Sequence, residues 1–152
     1  MSLEPNNQSA LADPATHPTA AFPALAAMQA TPMFGELGFT FTAAGDGWAE
    51  IVFTASPRTM NLYGIVHGGA WLFLADSAMG AALATVCDPA ERVITGQSDF
   101  RWLRPLVGDT IRGRGEVLRR GRSLSHCTAQ LFDADGRLVG QGSGTYVVLP
   151  PE

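Results

Sequence analysis

The segment Asn61-Leu-Tyr-Gly-Ile-Val-His67-Gly68-Gly69 runs directly into an apolar stretch carrying Asp76, and no other part of the sequence concentrates so many groups able to do chemistry. If the two glycines open a helix, its first backbone N–H groups lack partners within the helix and have no side chain in front of them, so they point at any negative charge that approaches. Gly68 and Gly69 therefore outline an oxyanion hole. Asp76 is the one charged residue within residues 68–87. A carboxylate on an apolar helix is costly unless paired or protonated, so it reads as a general base or nucleophile, or as an acid satisfied by a buried hydrogen bond. His67 can act beside it or cap the helix, and Asn61 can act or shape a turn.

Spacing then limits what one chain can do. Gly68 and Asp76 are eight residues apart, which is about 12 Å along a helix at 1.5 Å per residue. One chain cannot bring both groups to the same carbonyl. Two antiparallel helices across a twofold axis can, because the start of one then lies beside the middle of the other and two identical sites form.

Other chemistries have little support. His17, His67, His126, Cys87 and Cys127 show no spacing typical of zinc, so neither a metal nor a redox cofactor is expected. The two cysteines read as small core residues. All ten basic residues are arginine and the net charge is −4, which argues against general binding of nucleic acid or an anionic membrane. Residues 1–57 carry no basic residue, so neither a secretory signal nor a transit peptide is expected and the cytoplasm is the expected location.

The elements that must position these groups follow from patterning. With 152 residues the chain is the size of one domain. Residues 1–20 hold three of the ten prolines among polar residues and are expected to form a disordered tail before a domain at 21–150. A short helix is expected over 22–33, closed by Pro32, and two strands over 37–43 and 48–55 are joined by a glycine-rich turn. Residues 68–87 form a helix; a membrane span is disfavoured by Asp76 at its middle. Strands are expected over 93–103, 110–118, 123–132 and 138–149. In the third of these, Ser125, Cys127, Ala129 and Leu131 share one face, which should be the core face. Glycine recurs at alternate positions 113 and 115, and at 140, 142 and 144, so one face of each strand is bare where something bulky must press. The apolar helix is the expected occupant: a curved antiparallel sheet around a central helix satisfies both patterns.

Asn61, the His67-Gly68-Gly69 triplet, Leu74-Ala75-Asp76, Arg104-Pro105 at the end of a strand and the Arg120-Gly121-Arg122-Ser123 turn together resemble the PaaI-like branch of the hotdog-fold acyl-CoA thioesterases. The resemblance covers about residues 35–149. It implies an α+β hotdog fold, a curved antiparallel β-sheet wrapped around one long central α-helix, assembled as a homodimer or a homotetramer built as a dimer of dimers. It also implies hydrolysis of an acyl-CoA to free acid and coenzyme A, the latter part of the substrate and not a cofactor. By that resemblance the residue at Asp76 attacks the thioester or activates water, and the Gly68 amide of the other subunit polarises the carbonyl. Asn61 and His67 hold the thioester, Thr95 assists with water unless it is an ordinary strand residue, and Arg120, Gly121, Arg122 and Ser123 lie near coenzyme A.

Seven of the ten arginines fall between Arg101 and Arg122, a local basic patch suited to phosphates, although Arg112 and Arg114 could be merely solvated. Trp71, Phe73, Met79 and Trp102 could line an acyl pocket or belong to the core. A hotdog dehydratase or hydratase acting on acyl thioesters is an alternative, as is a non-catalytic acyl-CoA binding module. The buried charge of Asp76 counts against the latter, which has no use for it.

Overall fold

The computed structural model describes residues 17–106 and 108–151. Helix α4 (Gly68–Ala84) is the element everything else packs around, and Trp71, Leu74, Ala75, Ala78, Met79, Ala81, Ala82 and Leu83 are all buried on it. A helix apolar on nearly all sides needs cover on nearly all sides. Six strands supply it: β1 (Phe39–Gly45), β2 (Trp48–Thr54), β3 (Arg92–Trp102), β4 (Thr110–Arg119), β5 (Leu124–Asp133) and β6 (Leu138–Leu149). They form one antiparallel sheet in the order β1-β2-β4-β5-β6-β3, curved around α4. This is the hotdog fold.

Bare strand faces let the helix come close. A Cβ on Gly115 would collide with the main chain of α4 at Ala78, and one on Gly113 would lie 2.8 Å from Leu74. The bulk above β6 is more varied than a helix alone. A Cβ on Gly140 would strike Phe100 of β3, one on Gly142 would lie 2.8 Å from the Asp99 carbonyl, and one on Gly144 would lie 2.8 Å from Tyr146 and 3.2 Å from Met79. Aromatic rings of the sheet therefore fill part of the space that the glycine pattern assigned to the helix. On β5 the expected core face is observed, with Ser125, Cys127, Ala129 and Leu131 buried.

The N-terminal region departs from expectation at its boundaries. Two helices, α2 (Pro23–Gln29) and α3 (Pro32–Leu37), replace the one expected over 22–33. Pro32 starts a helix instead of closing one, because proline's fixed φ and missing N–H suit a first helical position. Leu37 consequently ends α3, and Gly38, at φ 81°, turns the chain into β1. The Gln29 side chain pins α2 to β1, donating to the Phe39 carbonyl at 3.0 Å and accepting the Phe41 amide at 2.9 Å. Of the tail expected over 1–20, residues 1–16 lie outside the described residues. Pro18–Ala21 form a short helix, α1, whose start is capped by His17.

Among the described residues β3 has β6 as its one strand neighbour, so its other edge is open. No described helix is long and apolar enough to cross a membrane.

Because the clash at Gly115 involves helix backbone, Gly115→Ala should lower the free energy of unfolding by about 1–3 kcal/mol. Gly35→Ala, within α3 where nothing lies within 4 Å of the added carbon, should instead be neutral or stabilising by up to about 1 kcal/mol. Urea denaturation of both variants checks the pair.

Candidate active site

Asp76 lies mid-way along α4 on a half-buried face. Its carboxylate is held from the sheet: the Tyr146 hydroxyl is 2.9 Å from Oδ1 and 3.0 Å from the Asp76 main-chain oxygen. Thr95 Oγ1 lies 3.2 Å from both carboxylate oxygens. Tyr146 is buried, and that burial, together with the charge on Asp76, pushes its hydroxyl far above its ordinary range. It therefore stays protonated and serves as a fixed donor. Thr95 immediately precedes a bulge in the β3–β6 pairing.

Tyr146 was not among the candidate residues, although the sequence carried a signal for it. It shares parity with Gly140, Gly142 and Gly144 on β6, so it belongs to the face that meets the helix. A buried tyrosine there needs a partner for its hydroxyl, and Asp76 is that partner.

At the other end of the site, His67 is the N-cap of α4, and its Nδ1 accepts the Gly69 amide at 2.9 Å. Two consequences follow. The Gly69 N–H, expected to face an incoming anion, is already engaged, which leaves the Gly68 N–H as the amide with no acceptor among the described residues. An Nδ1 that accepts also places the neutral ring's proton on Nε2, so the exposed edge of His67 is a donor. The capping reading of His67 and an acting role are thus compatible.

Asn61 shapes the preceding loop. Its Oδ1 accepts the amides of Tyr63 at 2.9 Å and Ile65 at 3.3 Å, and its own amide donates to the Ile65 carbonyl at 2.8 Å. The Nδ2 group is the part left to meet a substrate. Asn61 and Gly68 share a cavity of about 570 Å³ with Ile65, Trp71, Trp102 and Arg104. Asp76, Thr95 and Tyr146 line a second cavity of about 290 Å³, with Met28, Gly80 and Glu91. The chain does not bring its own Gly68 amide and its own Asp76 carboxylate into one cavity.

The expected basic patch is largely neutralised. Arg101 pairs with Asp99 at 3.2 Å, Arg112 with Glu50 at 2.9 Å, Arg114 with Glu116 at 2.8 Å and Arg120 with Glu91 at 3.0 Å. Alternation along β4 sets Arg112 and Arg114 beside carboxylates of β2 and of their own strand, and their guanidinium groups lie over Phe132 and Trp48. Arg120, expected at coenzyme A, is drawn inward by Glu91 and donates to the main-chain oxygens of Gly121 and Arg122, which fixes the turn. A Cβ on Gly121 would strike the Leu124 carbonyl. Arg122 and Ser123 are exposed on that turn.

Of the aromatic candidates, Phe73 packs among Phe34 and Phe39, and Met79 is wholly buried. Trp71 and the half-exposed Trp102 line the Gly68 cavity. Burial raises both thiols, Cys127 to about 12, so neither is a ready nucleophile. Among the described residues no group of three His, Cys, Asp or Glu side chains could hold a metal ion.

A six-stranded sheet around one helix, with an amide at the helix start and a carboxylate at its middle, defines a hotdog protein. The sequence pattern of the thioesterase superfamily matches residues 63–140, more than half of the chain, and the protein belongs to that superfamily. It is similar to 1,4-dihydroxy-2-naphthoyl-CoA hydrolase of Escherichia coli, 29% identical over 127 residues, covering 83% of this chain and 93% of the relative. A thioesterase family protein from Silicibacter pomeroyi superposes with a TM-score of 0.78 at 25% identity, over 83% of this chain and 96% of that one. A Haemophilus influenzae thioesterase superposes with a TM-score of 0.77 at 21% identity, over 85% and 90% of the two chains, and shows the shared fold.

The two roles of His67 can be separated. His67→Ala should lower stability by about 1 kcal/mol by removing the cap, while His67→Asn should restore most of it. Urea denaturation reads the cap; any catalytic loss common to both variants reads the Nε2 donor.

Proposed function

We propose that the protein hydrolyses acyl-CoA thioesters at two equivalent sites in a homodimer, as a PaaI-like thioesterase, with Asp76 of one protomer and Gly68 of its partner completing each site. One observation carries this reading: α4 holds a free amide in one cavity and a hydrogen-bonded carboxylate in another, and neither is a complete site. A second copy with its helix antiparallel supplies what each lacks. The open edge of β3 favours such pairing, as do the exposed apolar residues Leu62, Tyr63, Ile65, Ile94, Trp102 and Leu103, because monomers seldom leave a strand edge and so much apolar surface uncovered.

The chemistry follows from where charge develops. Attack on the thioester carbonyl turns its oxygen into an oxyanion, which the Gly68 N–H receives with the positive end of the helix dipole behind it. His67 Nε2–H and Asn61 Nδ2–H supply further donors. Asp76 either takes the proton of the attacking water or attacks the carbonyl itself, giving an acyl-aspartate that water then cleaves. In both routes the C–S bond breaks, the sulfur leaves as thiolate and is protonated to coenzyme A, and the acyl group leaves as the free acid. Thr95 orients the carboxylate or its water. Arg104, beside the Gly68 cavity, and Arg122 with Ser123 on the exposed turn offer contacts to the phosphates of coenzyme A. Support from relatives comes from the Escherichia coli protein, named for hydrolysis of a CoA thioester.

Two substitutions test the assignment by thiol release from a reactive acyl-CoA. Asp76→Asn keeps size and shape and should lower kcat by about 10²–10⁴-fold. Gly68→Pro removes the proposed oxyanion donor at a helix position that proline tolerates, next to a His67 already extended at ψ 134°, with its Cβ 3.4 Å from Trp102, and should lower kcat by about 10²–10³-fold. Near-normal turnover in either folded variant contradicts its assigned role.

A further inference from the structure

The Asp76 cavity has a second charged side chain that the proposed reaction does not use. Asp76, Gly80 and Ala84 recur every fourth residue along α4 and line one wall together with Ser77, so beyond Asp76 and Ser77 this face of the helix carries only a hydrogen and a methyl group. Across two helical turns it is about 12 Å long. Met28 of α2 lines the cavity from another side, and Glu91 is its other acidic residue. A slot this narrow, with a volume of about 290 Å³, suits a short or flat acyl group, at the small end of ligand-sized cavities.

Glu91 is built to stay charged and in place. Its Oε2 accepts the Asp88 amide at 3.0 Å and Arg120 at 3.0 Å, while Oε1 accepts from Arg120 at 3.1 Å. The Asp88 amide, with Arg120 behind it, holds its carboxyl below the usual carboxylate range. Each carboxylate oxygen has room for two donors, so Oε1 keeps one acceptor position. The Cys87 thiol beside the pair, pushed up by burial, is only a weak donor. Ala24, Met28, Ala84 and Val93 suit the hydrocarbon part of an acyl chain, but a hydrocarbon end set against Glu91 would leave a fixed anion in contact with apolar atoms.

Resting on the thioesterase reading, we infer that Glu91, positioned by Arg120, is a specificity-determining residue that selects acyl groups carrying a hydrogen-bond donor, such as a hydroxyl, at the end remote from the thioester, and rejects those ending in a carboxylate. Arg120 thereby acts through Glu91 and not on the coenzyme A phosphates.

Three CoA thioesters of one chain length test this: hexanoyl-CoA, 6-hydroxyhexanoyl-CoA and adipoyl-CoA, each followed by thiol release with the full-length protein. The expected order of kcat/KM is hydroxyl above methyl by about tenfold, the size of one hydrogen bond to a charged group, with carboxylate lowest. In Glu91→Gln the hydroxyl preference should shrink severalfold and the adipoyl rate should rise relative to hexanoyl. Arg120→Gln should reduce the same hydroxyl preference without raising the inhibition constant of free coenzyme A as a product inhibitor. Wild-type protein that hydrolyses all three with no preference, or prefers the methyl end, overturns the inference and leaves the thioesterase reading standing. Release of thiol from none of these, nor from the reactive acyl-CoA used above, overturns that reading and this inference with it.

Discussion

A lone carboxylate on an apolar helix has to be solvated by something, and in this protein the sheet does it. The Tyr146 hydroxyl and Thr95 reach Asp76 from β6 and β3, where the two residues stand opposite one another in the strand pairing. The packing of the helix and the placement of the carboxylate are therefore one problem. With α4 seated closely on β4 at Gly113 and Gly115, Asp76 sits half-buried with one side open to a cavity. Tyr146, which burial keeps protonated, is a fixed hydrogen-bond donor to that carboxylate.

Much of this was legible from the chain. Alternation fixes the core face of β5, and the glycine spacing on β4 implies the close approach of α4. The helix carrying Asp76 was bounded at its start by the His67-Gly68-Gly69 triplet, and it begins at Gly68. What spacing cannot carry is which polar groups neutralise one another across the sheet. Arg112 and Glu50 are sixty-two residues apart yet bonded, and Arg120 and Glu91 meet from a turn and a strand entry twenty-nine residues apart. A count of arginines reads such a region as a basic patch, whereas strand register turns it into ion pairs. Likewise Pro32 carries the same local information whether it ends one helix or starts the next, and the following turn at Gly38 decides it.

The helix start shows how a structural and a chemical role can be the same bond. By accepting the Gly69 amide, His67 caps α4, fixes its own tautomer and leaves the Gly68 amide as the free donor. Asn61 does similar double duty, closing its loop through Oδ1 while Nδ2 stays available beside the same cavity. The Gly68 amide and the Asp76 carboxylate thus lie in separate cavities of one chain. In the proposed assembly the twofold axis joins them, and the exposed edge of β3 is where the axis would run.

Complementation between two inactive chains measures that joining directly. Co-expressed Asp76→Asn and Gly68→Pro chains, differently tagged and purified as the mixed species, form dimers in which one site carries both lesions and the other carries neither. With a site shared between protomers, this mixed dimer recovers about half of wild-type turnover per dimer, although each parent is inactive. A mixed dimer no more active than its parents, with the protein folded and paired, would contradict a site shared between protomers.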